Sequence, residues 1–103
     1  MKAAAVSSQE EHLIRIFKAL SNPVRYRMIR YMVEHPHCIT GDLVTFSDLA
    51  QSTVSQHLKV LREAGLVCGE IEGPATSYCL DYGTLDWFRR EVDAFANDLV
   101  SCC

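Results

Sequence analysis

Two sets of side chains in this 103-residue chain have types and spacing suited to chemistry: five cysteines, and a polar run between positions 51 and 59. The cysteines are Cys38, Cys68, Cys79 and the adjacent pair Cys102-Cys103. Thiolates are soft ligands that select soft, thiophilic ions. Adjacent cysteines have Cα atoms about 3.8 Å apart, below the disulfide range of about 4.4 to 6.8 Å. The terminal pair therefore suits an ion better than a disulfide, unless it is a functionless tail. A second arrangement is open as an alternative. If a hairpin loop spans Glu72 to Ala75, Cys68 faces Cys79 directly, and a segment through Cys38 beside the second strand would bring three thiols together. Against this stands the common use of buried cysteine as a small hydrophobe. A thiol oxidoreductase favours Cys-x-x-Cys at a helix start, and the sequence has none.

The polar run has a different chemistry. Val54, Leu58 and Leu61 recur at offsets of four and three, so one helix buries them together. The opposite face presents Gln51, Ser52, Ser55, Gln56 and Lys59, with Thr53 and His57 beside them. Gln pairs bidentately with adenine, Ser and Thr reach bases or phosphates, and Lys neutralises phosphate or contacts guanine. His57 lies at the flank, where packing and phosphate contact are both open.

The formal net charge of -3 runs against the basic footprint usual for nucleic-acid binding. The distribution is uneven, however. Lys18, Arg25, Arg27 and Arg30 fall in a stretch without acids, whereas acids gather at Glu10-Glu11, around Glu70 to Glu72 and after Asp81. A basic face on an acidic molecule is compatible with this pattern.

The elements that must position these groups read as one folding unit over residues 1–103, the length of a single domain. A first helix is predicted over Glu10 to Leu20, with Leu13, Ile16, Phe17 and Leu20 as its apolar stripe. Asn22-Pro23 opens a second helix to about Glu34, with Val24, Met28, Ile29 and Met32 inward. A short third helix covers Gly41 to Phe46, and Ser47 to Ala50 connects it to a fourth over Gln51 to Ala64, closed by Gly65. Strands over Leu66 to Ile71 and Thr76 to Leu80 form a hairpin. A last helix runs from Thr84 to Val100. Its seam of Leu85, Phe88, Val92, Phe95 and Leu99 is more regular than a small core needs, which predicts an interface between two copies, joined by Leu13 and Phe17. The apolar start from Met1 to Val6 falls short of a secretory signal, and no stretch reaches the roughly 20 apolar residues of a membrane span. A cytoplasmic protein with reduced thiols and no membrane partner is expected.

Helix, helix, short helix, turn, exposed helix and hairpin is the order of a winged helix-turn-helix, a mainly α fold with a small β-hairpin wing. The segment Gln51-Ser52-Thr53-Val54-Ser55-Gln56-His57-Leu58-Lys59-Val60-Leu61-Arg62-Glu63-Ala64-Gly65-Leu66-Val67 resembles the recognition helix and wing of the ArsR/SmtB family of bacterial metal-responsive repressors. Leu20-Ser21-Asn22-Pro23-Val24-Arg25 is similar to that family's opening of the second helix. The resemblance implies a homodimer, joined through the first and last helices, that binds operator double-stranded DNA and releases it when an inducer binds. It also implies a vicinal thiol pair near the last helix end in some arsenic-responsive members. The inducer expected on Cys102 and Cys103 is trivalent arsenic or antimony, or an organoarsenical.

The family's third-helix cysteine motif is absent, since Ile39 and Gly41 stand ahead of Asp42-Leu43. The last-helix zinc pattern is absent too, because no His follows His57. Two further departures concern DNA. Ala50 replaces the usual Ser cap, which leaves the role to Asp48 or Gln51, and the wing tip Glu70-Ile71-Glu72-Gly73-Pro74 is acidic where relatives carry arginines. The alternatives are a thiol redox or persulfide-sensing repressor of the same fold, and a dimeric interaction module without DNA binding.

Overall fold

The computed structural model describes residues 5–69 and 77–99. The first helix, α1 (Ser8–Leu20), starts before the predicted Glu10 because Ser7 and Glu10 form a reciprocal cap. The Glu10 N–H donates to Ser7 Oγ at 3.1 Å and the Ser7 N–H donates to Glu10 Oε1 at 2.9 Å. Helix α2 (Pro23–Glu34) opens as its sequence predicts, with Asn22 Oδ1 accepting from the Val24 and Arg25 N–H groups at 2.9 and 3.1 Å. Helix α3 (Thr40–Ser47) extends one residue beyond the predicted Gly41 to Phe46 at each end. Asp42 Oδ2 accepts the Ile39 N–H at 2.9 Å at its start, and Asp48, at φ 58°, turns the chain out of it.

Three residues later begins α4 (Gln51–Glu63). It ends in a left-handed Gly65 at φ 85°, with the Leu66 N–H on Leu61 C=O at 3.0 Å and the Gly65 N–H on Arg62 C=O at 2.9 Å. This double closure is the Schellman pattern, and a Cβ at that φ is disfavoured. Strands β1 (Val67–Gly69) and β2 (Tyr78–Leu80) pair antiparallel, Val67 opposite Leu80, Cys68 opposite Cys79 and Gly69 opposite Tyr78. They cover only the base of the predicted wing. Its acidic tip lies outside the described residues. The segment beside β2 is the one expected: Ile39 bridges Ser77, and the Tyr78 N–H donates to Cys38 C=O at 3.2 Å. Helix α5 (Tyr82–Asp98) starts ahead of the predicted Thr84 because Asp81 caps it, and the predicted end at Val100 is not among the described residues.

Burial of apolar surface supplies the main driving force. The core gathers Ile16 and Ala19 of α1, Met28 and Met32 of α2, Leu43 of α3, and Val54, Leu58 and Leu61 of α4, closed by Leu66, Val67, Tyr78 and Leu80 at the wing base. Of the residues predicted inward on α1, Leu13 is half-buried and Phe17 exposed, since Ile16 and Ala19 hold the centre. This is a winged helix-turn-helix, mainly helical with a small antiparallel wing, as the sequence predicts. No helix among the described residues is long and apolar enough to cross a membrane.

Candidate nucleic-acid interface and thiol groups

Helix α4 is fixed along one side and open along the other. Val54, Leu58 and Leu61 are fully buried, whereas Gln51, Ser52, Thr53, Gln56 and Lys59 are exposed. Ser55 and His57 are half-buried at the flanks. No side chain caps the N-terminus at Ala50, so neither Asp48 nor Gln51 takes the role expected of it. The Ala50 carbonyl accepts from the Thr53 and Val54 N–H groups, both at 3.0 Å.

His57 is braced rather than free. Arg25 Nη1 lies 3.4 Å from His57 Nδ1, and a guanidinium only donates, so Nδ1 is the acceptor. Burial first, and then the Arg25 charge, lowers the His57 pKa. The same guanidinium holds the end of α1 through Nε on Ala19 C=O at 2.7 Å and Nη2 on Lys18 C=O at 3.5 Å. Arg25 thus joins α1, α2 and α4, a role that its place in the basic stretch did not signal. Arg62 is likewise committed, its Nη1 donating to Gly69 C=O at 3.3 Å and fastening α4 to the wing.

The thiols fall into separate places. Cys38 is buried in the core cluster, and burial, then the Asp42 charge, pushes its thiol pKa up. Cys68 and Cys79 are exposed, on the face of the wing opposite Val67, Tyr78 and Leu80. Cys38 pairs alongside Tyr78 and shares its inward face, so the convergence of Cys38 with Cys68 and Cys79 is not found. No group of three or more His, Cys, Asp or Glu among the described residues could hold a metal ion. Cys102 and Cys103 lie outside the described residues.

Helix α5 buries no residue fully. In the predicted seam, Leu85, Phe88 and Val92 are half-buried, while Phe95 and Leu99 are 54% and 63% exposed. Phe17 of α1 meets Phe88 edge to face at 5.6 Å and is itself 42% exposed.

Residues 22–68 match the model of the arsR family of bacterial regulatory proteins. The arsenical resistance operon repressor of Escherichia coli (strain K12) is 30% identical over 80 residues, 78% of this chain and 68% of that protein. The chain belongs to the ArsR/SmtB family. Regulators of that family are transcription factors, not enzymes. The regulator CmtR of Mycobacterium tuberculosis (strain ATCC 25618 / H37Rv) is 36% identical over 72 residues, 70% of this chain. The match spans only 60% of CmtR's own length. An ArsR-like regulator from Rhodococcus sp. RHA1 superposes with a TM-score of 0.74 at 20% identity, over 89% of this chain and 86% of that one, a likeness of fold. The family match from Asn22 to Cys68 contains all of α4 and its Arg25 brace.

Proposed function

We propose that the chain works as a homodimeric repressor that reads operator DNA with the exposed face of α4 and lets go when a thiophilic inducer binds. The observation that carries this is the two-sidedness of α4. Gln51, Ser52, Thr53, Gln56 and Lys59 stand free on a helix whose other side is locked into the core, with His57 and Arg62 tied down at its flanks. Rigid presentation of side chains that read bases and phosphates is what direct readout requires. The open first-turn N–H groups of α4 add donors for a phosphate.

A second copy supplies the partner that α5 lacks. Phe17 on the first helix, touching Phe88, and Phe95 and Leu99 on the last are large apolar side chains left exposed, an apolar strip that supports pairing through these two helices. Paired recognition helices suit the paired half-sites that such repressors read. The inducer is trivalent arsenic or antimony, or an organoarsenical, held by Cys102 and Cys103. The support for it is the vicinal pair itself, and the arsenical resistance named for the Escherichia coli relative. A ligand that favours the DNA-free arrangement by about 1 to 3 kcal/mol is sufficient for release.

Fluorescence anisotropy with DNA from upstream of the protein's own gene tests the reading. Salt-dependent, sequence-selective binding is expected, followed by release with trivalent arsenicals that is lost in a Cys102→Ser, Cys103→Ser double variant. Absence of selective binding overturns the repressor reading in favour of an interaction module. Unchanged release in the double variant overturns the terminal site alone.

A further inference from the structure

Cys68 and Cys79 stand directly opposite each other at the base of the wing, both exposed on the same face. The Asp81 N–H donates to Leu66 C=O at 2.9 Å, two residue pairs along the ladder from this one. Antiparallel alternation then makes Cys68 and Cys79 a hydrogen-bonded pair, with Cα atoms about 5.5 Å apart. That spacing lies inside the disulfide range of about 4.4 to 6.8 Å. Among the described residues no third ligand joins them, which disfavours an ion and leaves a two-electron dithiol. Cβ atoms across such a pair sit wider than the roughly 3.8 Å of a relaxed disulfide. A bridge here would be strained and easily reduced, the property of a regulatory rather than a structural disulfide.

The pair is also wired to another element. Cys68 Sγ donates to Asp81 Oδ2 at 3.7 Å, while Asp81 Oδ1 accepts the Thr84 N–H at 3.0 Å and so caps α5. One carboxylate is anchored on the wing thiol and on the helix that carries the apolar strip.

We propose that Cys68 and Cys79 are a reversible dithiol-disulfide site whose closure is felt at the N-terminus of α5. One thiolate attacks a small-molecule disulfide RSSR, and the departing RS⁻ takes up the proton. The second thiolate then attacks the protein sulfur of the mixed disulfide and expels the other RS⁻. The two thiols give up two electrons and two protons, and RSSR becomes two RSH. Closing the bridge removes the S–H donor from Asp81 and leaves the α5 cap with one anchor fewer. Burial, then the neighbouring Asp81 charge, raises the Cys68 thiol pKa, so little of it is thiolate at neutral pH and closure quickens as pH rises.

The test uses the full chain with glutathione disulfide, alongside a Cys102→Ser, Cys103→Ser variant that keeps the terminal pair out of the exchange. Peptide mapping should find a Cys68–Cys79 link that dithiothreitol reverses, and amide hydrogen exchange at Thr84 should quicken several-fold in the bridged form. Cys68→Ser, which keeps a hydroxyl donor toward Asp81 and cannot bridge, should hold Thr84 at the reduced rate. Mixed glutathione adducts that never resolve into this link overturn the site. A link that leaves Thr84 exchange unchanged overturns its coupling to α5. Neither readout involves DNA, so the outcome is independent of operator binding.

Discussion

His12 of α1 places its Nε2 2.9 Å from the carbonyl oxygen of Ala64, the residue that closes α4. The ring also stacks on Trp87 of α5, with centroids 4.9 Å apart and planes 17° from parallel. A carbonyl only accepts, so Nε2 carries the proton in this contact. A single imidazole thereby satisfies a buried carbonyl at the end of α4 and ties that end to α1 and α5.

His12→Ala should therefore cost about 1 to 2 kcal/mol of stability, the range of one lost hydrogen bond plus one ring contact. Denaturant unfolding measures it, with Trp87, the chain's single tryptophan, as the fluorescent probe. An unchanged midpoint would show that the bond adds nothing.

Gln56→Ala should weaken specific operator binding by about 1 to 3 kcal/mol, whereas Lys59→Ala should weaken all sequences alike and lower the salt slope by about one. Both side chains are exposed, so thermal stability should stay within about 0.5 kcal/mol. Anisotropy titrations at several salt concentrations distinguish the two effects.

Phe95→Asp should split the homodimer, costing about 2 to 4 kcal/mol of association if Phe95 is a central anchor. Because Phe95 is 54% exposed within one protomer, the folded monomer should survive with its helical circular dichroism intact. Sedimentation equilibrium reads the outcome, and a wild type that is monomeric at micromolar concentration would count against the interface.

The lowered His57 pKa predicts an acid-sensitive fold. The unfolded chain takes up a proton near the ordinary value of 6.5, while folded His57 resists it because of burial and Arg25. The stability this represents is complete above pH 6.5 and is lost as pH falls through the folded value. Melting temperature should drop between pH 7.5 and 5.5. Arg25→Met should move the imidazole titration upward in an NMR experiment, and no movement would remove Arg25 as a cause.

Thr40 is fully buried and its Oγ1 has no hydrogen-bond partner among the described residues. Thr40→Val should stabilise the fold by about 1 kcal/mol by removing an unsatisfied hydroxyl. Chemical denaturation provides the check.

Local pattern was legible in the sequence, as was the segment that lies beside β2, whereas the long-range contacts of individual side chains were not. Asn22-Pro23 and Gly65 marked helix ends correctly because caps depend on neighbouring residues alone. Ser7 and Glu10 carried the same kind of signal for α1, in the three-residue spacing of a capping box. Cys68 opposite Cys79 followed from the loop position, since one register fixes every pair in a hairpin. The inward face of Cys38 depended instead on how its segment meets Tyr78, 40 residues away in the chain. Arg25 with His57, and His12 with Ala64, are 32 and 52 residues apart and have no spacing rule to announce them.

The closed turn at Gly65 has a wider consequence. A methyl group added there would meet His12 Nε2 at 3.3 Å and the Thr84 side chain at 3.5 to 3.6 Å, so α1, α4 and the start of α5 converge with no slack. Rotation of α4 about its own C-terminal end would therefore press against His12 and Thr84. In a pair of such protomers the distance between the two reading heads is set by the frame, as the gap of a caliper is set by its beam. Operators with altered half-site spacing would be refused rather than accommodated, and any signal that slides α5 would move the reading head with it.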